Sequence, residues 1–256
     1  YFYRICTYNE QIHAFIQKYF EAARASGVII EGKIANPTEK NLAYYSEMMG
    51  MDFQMSVGFF AFHLKKWLPR MNDGQRQNVA AAVYDALDAL RRSGKNENML
   101  RNAYIKFMCW LYYKFERIVN RLGQDEVPKI LYCGTVSSYE FMLITILADA
   151  GCDVILLQPR GDADYRKLDP NSEKSIEYDA PEGREFPKDF SLKTLLGEAE
   201  EAERNRKIFG TGAGIANCTN AWAEGKGLSD ILKPPAARGD REDMFYNCYC
   251  RISGVW

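Results

Sequence analysis

The sequence predicts an α/β fold, with a helical N-terminal layer packed on a domain built around a parallel sheet. Three observations lead there. The first is Val127-Pro-Lys-Ile-Leu-Tyr-Cys-Gly134, followed by Thr135-Val-Ser-Ser-Tyr-Glu140 and then Val154-Ile-Leu-Leu-Gln-Pro159. It reads as strand, glycine turn, capped helix and strand, which makes at least one βαβ unit of Rossmann-like type. In open sheets the strand ends and helix N-terminus of such a unit form an anion-accepting crevice. The second observation is helical periodicity through most of the first 124 residues. The third is composition: 47% apolar and 26% charged residues describe an ordinary globular chain that can bury a core.

The helical elements follow in order. Ile12, Ile16, Tyr19, Phe20 and Ala23 recur at helical spacing, and Gly27 is a natural stop. Val28-Ile-Ile30 suits a short strand. Asn36-Pro-Thr-Glu39 combines a cap, a first-turn proline and a returning carboxylate, so a helix is expected after it. Helical character continues through Met48 to Trp67, with a break near Gly50, and Pro69 ends it. A further helix after Asn72 carries Val79, Val83, Leu87 and Leu90 on one face. The helix from Glu97 to Leu122 has the cleanest stripe: Leu100, Tyr104, Phe107, Leu111, Phe115, Ile118 and Leu122. Lys106, Trp110, Tyr113 and Arg117 make a second stripe nearly opposite. That stripe packs between layers with cation–π support, or else meets a partner.

Gly123-Gln-Asp-Glu126 reads as a linker, which places a mainly helical domain at 1–124 and the α/β domain at 125–256. Beyond Pro159 the chain turns acidic and rich in Gly and Pro, with a helix expected over Ser191–Arg206. Gly210-Thr-Gly-Ala-Gly214 follows a helical pattern rather than a strand, and so reads as a loop. Tyr3-Arg4-Ile5-Cys6 is echoed by Cys250-Arg251-Ile252-Ser253, and the chain opens without Met, which suggests a piece of something longer.

The candidate site follows from the βαβ unit. Two parallel neighbouring strands deliver their loops to one rim. Gly134, Thr135, Ser137 and Ser138 come from one loop, offering amides and hydroxyls to a phosphate or carboxylate. Arg160 from the other loop closes on the same anion. Asp162 and Asp164 are the catalytic candidates, able to position a hydroxyl, hold a divalent metal or act as a base. Ser137 and Glu140 also form a capping box, which needs no ligand. The dinucleotide fingerprint and the triphosphatase phosphate loop are both absent.

Thirty-three Lys and Arg nearly cancel 34 Asp and Glu, so no global field recommends nucleic acid. The charge is uneven: residues 60–123 hold twelve basic and five acidic residues, whereas 161–203 hold six and thirteen. Seven cysteines without a Cys-x-x-Cys pair, and two histidines on apolar helices, argue against zinc and nucleophilic hydrolysis. No apolar run reaches the roughly 20 residues of a membrane span, and no signal peptide opens the chain, so a cytoplasmic location is expected.

Several motifs resemble the bacterial YceG-like family. They are Lys95-Asn-Glu-Asn98, Tyr104-Ile-Lys-Phe107 with Trp110-Leu-Tyr-Tyr113, Pro128-Lys-Ile-Leu-Tyr132 with Ser138-Tyr-Glu140, and Gly151-Cys-Asp-Val154 leading to Leu168-Asp-Pro170. The resemblance is strongest from about Trp67 to Pro170. It implies a component of a biosynthetic module found among tellurite-resistance and general stress genes, beside enzymes that assemble a nucleoside-like or phosphorylated metabolite. It supplies no catalytic residues. The expectation is therefore a protein that binds or processes a phosphorylated or nucleotide-like small molecule. The alternative is a non-catalytic scaffold of a stress complex that docks other proteins of a stress operon through Trp110 and Tyr113.

Overall fold

The computed structural model describes residues 1–35, 42–178 and 182–197, with backbone alone for 42–45. The elements are β1 (Phe2–Ile5), α1 (Glu10–Ser26), β2 (Val28–Glu31), α2 (Leu42–Met49), α3 (Val57–Trp67), α4 (Asp73–Arg92) and α5 (Glu97–Trp110). A π-helical turn at Leu111–Phe115 leads to α6 (Glu116–Val119). Then come β3 (Lys129–Cys133), α7 (Ser138–Asp149), β4 (Asp153–Leu157), α8 (Ala163–Leu168) and β5 (Ile176–Tyr178).

The five strands form one parallel sheet in the order β2-β3-β4-β1-β5. The expected β3-α7-β4 unit is present, with Ile130 opposite Val154 and Cys133 opposite Leu157. Cys133 also stands opposite Glu31, and Ile5 opposite both Leu157 and Tyr178. All five C-terminal ends therefore lie along one rim.

Alternation along the strands splits the core into two layers. Phe2, Ile30, Ile130, Tyr132, Val154 and Leu156 join one continuous core with α3, α4, α5 and α7. Ile5, Leu131, Ile155 and Leu157 point the other way and are equally buried, on the face where α1 packs against β2 and β3. Burial on both faces explains why β3 and β4 read as uninterrupted apolar runs.

Local sequence explains the joints. Asn9 caps α1, its side chain accepting Ile12 N–H at 2.8 Å. At the other end of α1, a Cβ on Gly27 would lie 2.0 Å from the Lys129 carbonyl oxygen. Only glycine lets the helix end abut the start of β3. The stripe from Leu100 to Leu122 is buried throughout. The helix that carries it is not one regular cylinder, however, because the π-helical turn interrupts it after Trp110.

One expectation changes. β1 and β2 precede the Gly123–Glu126 linker, yet they hydrogen-bond with β3 and β4, so the linker does not part a helical domain from the sheet. Two compact units divide instead at Leu192/Lys193. Among the described residues no helix is long and apolar enough to cross a membrane. The helix start at 36–41, the loop at Gly210–Gly214 and the Cys250–Ser253 echo lie outside the described residues. Of the helix expected over 191–206, residues 192–197 are described and helical.

The right-hand edge of the sheet is locked by a buried charge. Arg4 on β1 is fully buried, its guanidinium carbon 4.4 Å from the centre of the Tyr165 ring. Nη2 lies 2.6 Å from Glu177 Oε2, 3.3 Å from Asp162 Oδ2 and 3.2 Å from Ser172 Oγ. Arg166 bridges the same two carboxylates from solvent, at 2.8 Å from Asp162 and 2.9 Å from Glu177. The two arginines should behave very differently, because removing a buried partner strands its counter-charges whereas an exposed pair is screened. Arg4→Ala is expected to lower the unfolding free energy by about 3 kcal/mol in urea titration, and Arg166→Ala by far less. Equal, small losses would show that Arg4 locks nothing.

Candidate functional site

A cleft of about 490 Å³ opens on the rim at the ends of β2, β3 and β4. Glu31, Gly32 and Lys33 line it from β2, and Cys133, Gly134 and Thr135 from β3. Gln158, Pro159, Arg160 and Gly161 line it from β4. A strap of chain forms the outer wall through Glu185, Phe186, Pro187, Lys188 and Phe190.

The strap is held at both ends. Tyr8, after β1, exchanges two backbone hydrogen bonds with Arg184, at 2.7 and 2.9 Å. The Tyr8 ring packs against Phe186 and Phe190 at centroid distances of 5.1 and 5.8 Å, and its hydroxyl lies 2.7 Å from His13 Nδ1. At the far end Leu192 N–H donates to Glu31 Oε1 at 2.9 Å.

The inner loops are equally constrained. Gly32 N–H donates to Cys133 O, and Gly134 N–H to Leu157 O. Tyr132 Oη–H donates to Gly32 O at 2.9 Å. Gly134 has φ of 127°, and a Cβ there would meet the Gly32 backbone at 3.4 Å. Both demands select glycine. Gln158, almost fully buried, donates its amide N–H to Gly134 O at 2.7 Å and ties the β3 and β4 loops together.

Glu140 completes the frame. Its carboxylate, 3% exposed, accepts Ile34 N–H at 2.7 Å, Ser137 N–H at 2.9 Å and Ser137 Oγ–H at 2.6 Å. The Ser137 oxygen in turn accepts Glu140 N–H at 3.4 Å, closing the capping box. Burial alone would raise the Glu140 carboxyl, but these hydrogen bonds outweigh it and hold it below its ordinary value.

The site residues expected from sequence are thus divided. Gly134, Thr135 and Arg160 line the cleft together. Ser137 and Ser138 do not line it, and the Ser137 amide and hydroxyl are spent on Glu140. The Gly134 amide is likewise spent on Leu157. The Ser137 and Gly134 amides are therefore engaged within the protein, and the cationic side chains that line the cleft, all exposed, are Lys33, Arg160 and Lys188.

Asp162 and Asp164 also stand outside the cleft. Asp162 is paired with Arg166 and Arg4, and Asp164 with Lys167. Donor atoms of Cys6, Asp162 and Glu177 do gather within 4.8 Å of one another. Two guanidiniums already neutralise those carboxylates, and burial followed by the Asp162 charge pushes the Cys6 thiol up to about 11. The group is built as an ion-pair lock rather than a metal cradle. Cys133, on the cleft floor, is pushed up to about 12, first by burial and then by Glu31, with Arg160 opposing. It is a protonated thiol at neutral pH, not a nucleophile.

Of the proposed partner face, Trp110 is buried, Lys106 and Tyr113 are half-buried and Arg117 is exposed. Trp110 is 2% exposed, with Lys106 Nζ 4.7 Å from the centre of its ring and 4.9 Å from that of Tyr139. Arg117 donates to Gly27 O. Tyr113 is half-buried beside Tyr112. These contacts fasten α5 and α6 to α1 and α7.

Sequence reasoning missed Glu31, Lys33 and the strap, whereas Gln158 was legible as part of the loop after β4 that reaches the rim. Val28–Ile30 was readable as a strand, and Glu31-Gly-Lys33 would have followed had β2 been placed beside β3. The strap carried no comparable signal, since its anchor on Glu31 lies 161 residues from Leu192.

The Glu140 pairing has a pH signature. A carboxyl held below its ordinary 4.5 stabilises the fold fully above that value, and the contribution is lost as pH falls through the lower folded-state value. Glu140→Gln is expected to destabilise strongly in urea titrations near pH 7, with the penalty shrinking towards about pH 3. A penalty independent of pH would contradict this.

Among known proteins, the family model of the YceG domain matches residues 3–206 of the chain. No curated protein and no solved structure matches it.

Proposed function

The chain belongs to the YceG domain family, and from that premise and the geometry of the cleft we propose that it binds a phosphorylated or nucleotide-like small molecule. The ligand sits at the C-terminal ends of β2, β3 and β4. By this reading the protein works in the cytoplasm, in a stress-linked biosynthetic module of the tellurite-resistance type.

One observation carries the reading. Lys33, Arg160 and Lys188 converge on an open cleft whose floor is a preformed pair of glycine loops. Three cations on separate segments, in a cleft that Thr135 also lines, suit the several oxygens of a phosphate. The half-buried Pro159 lines the cleft without closing it. Tyr165 is buried elsewhere, its hydroxyl donating within a network with Asp169 and Ser175. The scaffold reading has less support, because the Trp110 surface it needs is occupied by the chain itself.

The chemistry reaches as far as binding. Cys133 is protonated, and Asp162 and Asp164 are engaged in ion pairs away from the cleft.

Thermal denaturation against a panel of nucleotides and sugar phosphates tests the proposal. A ligand at 100 times its dissociation constant adds about 2.7 kcal/mol of stability. Arg160→Ala and Lys33→Ala are each expected to weaken the best ligand about tenfold, the value of one charge-assisted hydrogen bond. A double variant that binds as tightly as the native protein would refute the site.

A further inference from the structure

A carboxylate is out of place in a pocket for anions. Glu31 and Glu185 nevertheless line this one, and Glu31 is not a loose surface group: Leu192 N–H fixes one of its oxygens at 2.9 Å. Among the described residues no lysine or arginine forms an ion pair with it. A carboxylate can accept about four hydrogen bonds, so the latch to Leu192 leaves acceptor capacity at the cleft wall.

Its position relative to the cations is set by the sheet. Glu31 ends β2, Cys133 ends β3, and Arg160 follows β4, with β3 in the middle. Along the rim Glu31 and the loop of Arg160 therefore stand on either side of Cys133, on strands two spacings or about 10 Å apart. Both charges reach the thiol, since Glu31 raises its pKa and Arg160 lowers it. The cleft is thus polarised across its width. A simple anion held by Arg160 would face Glu31 at a cost, whereas a ligand with an ammonium group at its other end would satisfy both.

We infer that the ligand is dipolar, an amine-bearing phosphate compound whose phosphate meets Arg160 and whose ammonium meets Glu31. The inference rests on the phosphate-binding reading and narrows it to one class. Glu31 is then the residue that sets specificity, repelling phosphate esters that lack a positive end.

Two isosteric probes separate the possibilities: O-phosphoethanolamine, and propyl phosphate, which carries methyl in place of ammonium. Affinities are measured by calorimetry on the full chain and on Glu31→Gln, whose amide oxygen can still accept the Leu192 N–H while the charge is gone. The native protein should prefer phosphoethanolamine by about tenfold, and Glu31→Gln should erase that preference, partly by binding propyl phosphate more tightly. If the native protein binds both probes alike, or the preference survives in Glu31→Gln, the dipolar assignment is wrong and phosphate binding stands. If the native protein binds neither, both readings fall.

Discussion

The site depends on one buried carboxylate. A helix N-terminus at the end of a strand is a natural place for an anion, and in this protein the chain fills it with its own. Glu140 reaches back from the first turn of α7 to take the Ser137 amide and hydroxyl, and reaches across to take the Ile34 amide. The first contact is ordinary capping. The second is long-range, and it ties the loop after β2 to the helix after β3.

From that tie the rest of the rim follows. With Ile34 held by Glu140 and Gly32 held by Tyr132 and Cys133, the backbone of Lys33 is fixed on both sides. Gly134 can then approach Gly32 closely, and Gln158 joins the β4 loop to the same group. The loops carrying Lys33 and Arg160 are therefore arranged by the protein's own contacts, which would lower the ordering cost of the binding proposed for this cleft. On the far side of the sheet Arg4 does for β1, β5 and α8 what Glu140 does for β2 and β3. Each is a buried charge joining segments remote in sequence.

What was legible in the sequence was local. The β3-α7-β4 unit, the Ser137–Glu140 box and the stripe from Leu100 to Leu122 each show within about 30 residues, and each is present. The parallel pairing of β3 with β4 followed from the length of the connection. What escaped was long-range. Four residues at Phe2–Ile5 are too short to announce a central strand, and their place between β4 and β5 is set by tertiary pairing. The linker at Gly123–Glu126 had the composition of a boundary but joins parts of one sheet. Ser137 looked available to a ligand although its capping box with Glu140 was legible, and that local box is what takes its amide and hydroxyl; the tie from Glu140 to Ile34 could not be seen in a single segment. Asp162 looked free because its partner Arg4 lies 158 residues away.

Amide hydrogen exchange at Ile34 tests the central tie most directly. If Glu140 pins this loop, the Ile34 amide exchanges as slowly as the core of β3 in the native protein, and Glu140→Ala, which removes the acceptor, frees it while the β3 amides stay protected. An Ile34 amide that exchanges as fast as an open loop in the native protein would contradict the account, because nothing would then hold Lys33 in place over the cleft.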